Sequence, residues 1–95
     1  MLIKLKTLIL ESEGQKRNAR MESIYVNSSN IVSVSDYPAI EGFLLKENIQ
    51  FSGDKFSLVK VSLGQKVEDV IAFGTSATIY SEITQQTTSK RLLND

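Results

Sequence analysis

The chain has 95 residues, 41% of them hydrophobic, and its eleven Lys and Arg balance eleven Asp and Glu. That is enough for one small folded domain. The absence of Cys and His excludes disulfides, Cys/His zinc sites and the usual catalytic triads. A net charge of zero supplies no field to draw the chain to nucleic acid or an anionic membrane.

The first ten residues read as a strand. Ile3, Leu5 and Ile9 share one face with Thr7, and Lys4 and Lys6 share the other with Leu2 and Leu8. Residues 11–20 hold one glycine and no large apolar side chain, which predicts a mobile polar loop between two strands. Met21–Val26 reads as a second short strand, and Asn27-Ser28-Ser29-Asn30 as a turn in which short polar side chains satisfy nearby backbone groups. Ile31–Ser35 is a third strand, its valines alternating with serines.

Residues 36–54 read as an insertion. Pro38 disfavours helix at Tyr37, and residues 39–46 carry one or two irregular helical turns, weakened by Gly42. Phe43, Leu44, Leu45, Ile49 and Phe51 are too apolar for a bare loop, so the segment packs on the sheet or on a partner. Phe56–Leu63 is the clearest strand, Gly64-Gln65 a tight turn, and Val67–Phe73 a fifth strand. Thr75 or Ser76 can cap a helix in which Ser76, Ile79, Tyr80 and Ile83 form one stripe. The β-branched content there leaves a strand open as the alternative. Residues 85–95 read as a polar, flexible tail with Leu92 and Leu93 as its anchor.

The fold expected is mainly β: a small curled antiparallel sheet or partly open barrel of about five strands, with a short C-terminal helix, over residues 1–84. Val59, Val61, Ile71 and Ile24 are the expected core. No apolar run approaches the roughly 20 residues that span a membrane. The lysines in Met1–Lys6 interrupt any signal-peptide core. The expected location is therefore the cytoplasm.

The strand Met1-Leu2-Ile3-Lys4-Leu5 is followed by Ile24-Tyr25-Val26-Asn27 and Asn30-Ile31-Val32-Ser33-Val34. Later come Val59-Lys60-Val61-Ser62-Leu63-Gly64, Val70-Ile71-Ala72-Phe73 and a short terminal helix. Over residues 1–35 and 56–83 this order resembles the small flagellar and swarming-motility proteins of the FlbD type, and similar small bacteriophage β proteins. The resemblance implies a non-enzymatic, oligomer-prone β fold and carries over no functional residue.

Two binding constellations stand out. Phe43, Leu44 and Phe51 could supply an apolar contact to a partner. Lys16, Arg17 and Arg20, with Lys4 and Lys6 nearby, could hold phosphate while Tyr25 or Tyr37 stacks on a base. The competing reading of that basic cluster is a solvated loop offset by Glu11, Glu13 and Glu22. No cofactor, metal or catalytic constellation is expected, and nucleic acid is disfavoured. The reading is a non-catalytic interaction module, a phage or bacterial accessory protein that self-associates and binds a host protein. The alternative is an oligomer that binds or sequesters an anionic signalling nucleotide. Self-association is expected because so small a domain, without disulfides or metals, buries little surface alone.

Overall fold

Two glycines set the sheet. Gly14 (φ +59°) and Gly64 (φ +69°) take the first central position of two-residue turns, where a left-handed backbone costs glycine nothing. Around them β1 (Leu2–Glu13) pairs with β2 (Lys16–Asn27), and β4 (Phe56–Leu63) with β5 (Lys66–Phe73). In the computed structural model the backbone is described for residues 1–94 and the side chains as far as Gln85.

The strands form one open antiparallel sheet of order β2-β1-β5-β4-β3, with β3 (Ile31–Asp36) at one edge and β2 at the other. The fold is thus the expected mainly β one, in the open-sheet form rather than a barrel. The two hairpins meet at Thr7↔Ala72 and diverge from there. A register shift between Ile31 and Ser33 marks a bulge at the start of β3.

The mobile loop expected over 11–20 does not exist. Glu11–Glu13 continue β1, and Lys16–Arg20 begin β2 with Glu13 opposite Lys16. A two-stranded ladder is held by backbone groups and does not require apolar side chains. Here polar contacts tie the arm down. Arg20 pairs with Glu11 at 2.7 Å and Glu22 at 3.2 Å, Arg17 pairs with Glu47 at 2.6 Å, and the Ala19 N–H donates to Gln50 Oε1 at 3.0 Å.

The irregular turns expected at 39–46 are a regular helix, α1 (Pro38–Lys46). Pro38 sits in its first turn, where its missing N–H costs nothing. At the other end Asn48 adopts φ +52°. The Ile49 N–H reaches Leu44 O and the Asn48 N–H reaches Leu45 O, the two bonds of a Schellman cap. α2 (Ser76–Asn94) resolves the open alternative at residues 75–84 in favour of helix. Thr75 Oγ1 accepts from the Thr78 N–H at 3.2 Å, so Thr75 is the capping residue. The backbone of α2 runs on through residues 85–94 of the expected tail, and the side chains beyond Gln85 lie outside the described ones.

Both sheet faces bear a core, because strand residues alternate sides. On the α2 face, Ile3, Leu5, Val59, Val61, Ala72 and Ile79 are buried, with Ile24 and Val70 packed against them. On the α1 face, Leu8, Ala19, Ile40, Leu44, Ile49 and Phe56 are buried, with Ile71, Phe43 and Phe51 packed against them. The expected core holds: Val59 and Val61 are buried, and Ile24 and Ile71 are half-buried against opposite faces. Thr7 is buried and its hydroxyl donates to Glu22 O at 2.9 Å, so it costs the core no unpaired group.

Asp36 fastens α2 to the sheet, its Oδ1 accepting from the Ser76 N–H at 2.8 Å. Hydrogen bonds from Ser76, backbone first, hold this carboxyl below the usual Asp range. The folded state therefore favours the ionised form. Its stabilising effect is complete above the unfolded value, about pH 4, and fades as pH falls through the lower folded value. Denaturant melts between pH 6 and pH 2 should show wild type losing more stability on acidification than Asp36→Asn. Parallel losses would mean that the contact does not form.

Candidate functional site

The α1 helix and the chain after it cover only part of their sheet face. They lie over Leu8, Ala19 and Phe56 and leave the end of the β1–β2 hairpin near the chain start open. The register there fixes which side chains meet. Lys4 stands opposite Tyr25, Lys6 opposite Ser23 and Leu2 opposite Asn27. All three β1 residues share the α1 face, being an even number of positions from Leu8. Phe73, at the end of β5, lies on the same side of the sheet, beside Lys4 and Lys6. Its ring meets the buried Phe56 ring edge-on at 5.9 Å, yet Phe73 keeps 44% of its surface exposed. Tyr25 and Leu2 are each 65% exposed.

Two shallow clefts flank Phe73. One, of about 500 Å³, is lined by Lys4, Leu5, Lys6, Phe73, Ile79 and Glu82, and lies where β1 and β5 diverge. The other, of about 340 Å³, is lined by Lys6, Met21, Ser23, Phe51, Asp54 and Phe73. Each cleft carries one carboxylate, so the two lysines do not make a strongly cationic pocket. The surface is apolar at its centre, with charges of both signs around it. Phe51 borders it with a strained backbone, at φ +68°.

The basic cluster singled out in the sequence is not assembled. By the hairpin register, Lys16 and Arg20 share the α2 side while Arg17 points to the α1 side. Arg17 is spent on Glu47 and on the Phe43 ring, whose centroid lies 5.7 Å from its guanidinium. The hydrogen bond from Arg20 to Glu11, with a further contribution from Glu22, raises the guanidinium above its ordinary pKa. Tyr37 is half-buried in the α1-side core, far from a stacking role, whereas Tyr25 is open.

The apolar segment is also redirected. Leu44 has no exposed surface and cannot touch a partner; Phe43 and Phe51 are half-buried against the same core. The excess of apolar residues at 43–51 is explained by packing on the sheet. What sequence reasoning missed is the pairing of Lys4 with Tyr25 across the hairpin and the meeting of Lys4 and Lys6 with Phe73. The signal was available in Gly14-Gln15-Lys16, which repeats the Gly64-Gln65-Lys66 of the recognised turn and would have fixed the register. Among the described residues no group of His, Cys, Asp or Glu could hold a metal ion, and no helix is long and apolar enough to cross a membrane.

Comparison with protein-family models, with curated proteins and with solved structures finds no match.

Proposed function

We propose that this chain is a non-catalytic module that self-associates and binds a partner protein on the uncovered half of its α1-side sheet face. The observation that carries this reading is that Leu2, Tyr25 and Phe73 are all exposed on the α1 side of the sheet, with Lys4 opposite Tyr25 and with Lys4, Lys6 and Asp54 lining the clefts beside Phe73. Aromatic anchors at the centre with charges at the rim are the common anatomy of a protein interface. The partner surface it fits has an apolar side chain for the clefts and both signs of charge around it. A phosphate ligand is less well served, because the two carboxylates offset the two lysines and Arg17 and Arg20 already hold carboxylates. The shifts at Arg20 and Asp36 arise from structural contacts and favour the charged forms. They supply no poised acid or base.

Quantitative affinity capture from source cells tests the site. Tyr25→Asp should lose at least about tenfold of a specifically bound polypeptide, since hot-spot truncations cost 2 kcal/mol or more. Neutralising Lys16, Arg17 and Arg20 together to Gln, which removes the charges without opposing Glu11, Glu22 and Glu47 with new carboxylates, should leave capture nearly intact. The opposite ranking, or a melting point raised by a nucleotide, would favour the anionic ligand instead.

A further inference from the structure

Resting on the self-association reading, we infer that two copies join through β3, edge to edge, into a continuous ten-stranded sheet. β3 is the free edge of the sheet beyond β4. The Tyr37 N–H donates to Phe56 O at 3.0 Å, and antiparallel ladders alternate inward and outward residues. Ser35 and Ser33 therefore address β4, while Val34 and Asp36 send their backbone N–H and C=O outward. The bulge lies at the other end of the strand, between Ile31 and Ser33, and leaves Ser33–Asp36 regular.

The occupant is a second copy because the strand is its own complement. A two-fold axis at Val34 sets Val34 against its counterpart, Ser33 against the partner copy's Ser35, and Val32 against the partner copy's Asp36. No like charges meet, and the Asp36 carboxylate is already turned to the Ser76 N–H. Opposed serines and valines are favourable cross-strand pairs. The other edge is guarded over residues 16–22, where β2 carries Lys16, Arg17, Arg20 and Glu22, the charged protection that native edge strands use. Ile31–Ser35 carries no charge and no proline. The flank of β3 is also open and apolar, with a groove of about 460 Å³ between it and α2, lined in part by Val32, Val34, Ala77 and Tyr80. Val32 is 60% and Tyr80 67% exposed. An axis normal to the sheet keeps both α2 helices on one face and brings these residues toward their counterparts, burying what a single copy leaves in water.

Sedimentation equilibrium across micromolar concentrations tests the pairing. Wild type should approach twice the 10.6 kDa chain mass. Ser33→Glu with Ser35→Glu places carboxylates opposite each other and should return the mass to that of one chain. Ser33→Glu with Ser35→Lys opposes unlike charges and should restore the dimer. Val34→Pro removes an outward N–H that no intramolecular bond uses, so it should fold and stay single. A wild-type oligomer unaffected by the double Glu variant, or a Glu/Lys variant that stays single, overturns this pairing while leaving self-association standing. A wild type that is single at every concentration overturns both.

Discussion

Phe56→Ala is expected to lower stability by about 3–5 kcal/mol, the range for truncating a buried aromatic. Phe56 has no exposed surface, lies in the α1-side core, and braces Phe73 edge-on at 5.9 Å. Its backbone N–H donates to Glu41 Oε2 at 3.0 Å, and its carbonyl accepts from Tyr37. One residue thus joins β4 to both ends of the first turn of α1. Domains are stable by about 5–15 kcal/mol, and a chain this short stands toward the lower end. Urea melts of the variant should show a midpoint displaced to low denaturant, or a chain already partly unfolded in buffer. A midpoint within error of wild type would mean that α1 does not pack where it is described.

Leu44→Ala should cost about 2–5 kcal/mol, while Leu45→Ala next to it should fall within about 0.5 kcal/mol of wild type. Leu44 is fully buried on the sheet side of α1 and Leu45 is 69% exposed. The pair separates two roles for one apolar segment. If residues 43–51 served chiefly as a partner anchor, both leucines would be dispensable for folding and Leu44 would matter to binding. If they form core, Leu44 is a stability residue and Leu45 is neutral. Equal effects in chemical denaturation would remove α1 from the core.

Legibility in the sequence followed the range of the interactions. β4 was readable from Phe56 to Leu63 because apolar and polar residues alternate there and Gly64 ends the strand. Helix at Ser76 was readable from Thr75 and the Ile79–Ile83 spacing, although Tyr80 of that stripe faces water. Residues 11–20 were not readable by apolar content, since ladder bonds and the Arg20–Glu11 and Arg17–Glu47 pairs hold them instead. α1 was blurred by Gly42, and its stop signal was the left-handed Asn48 rather than a glycine. Lys4, Lys6 and Tyr25 were each visible. Their meeting depends on the register set at Gly14, and the arrival of Phe73 depends on the distant Thr7↔Ala72 pairing. No local pattern encodes that contact.

The proposed function requires a chain that closes its core with its own α1 and offers the exposed α1-side residues Leu2, Tyr25 and Phe73 and the β3 edge to other polypeptides. Native mass spectrometry of the protein purified from source cells tests this most directly. The result expected is a species near twice 10.6 kDa, accompanied by a bound polypeptide that Tyr25→Asp removes without changing the self-associated mass. A single chain, or an oligomer retaining a nucleotide-sized ligand and no polypeptide, would contradict it.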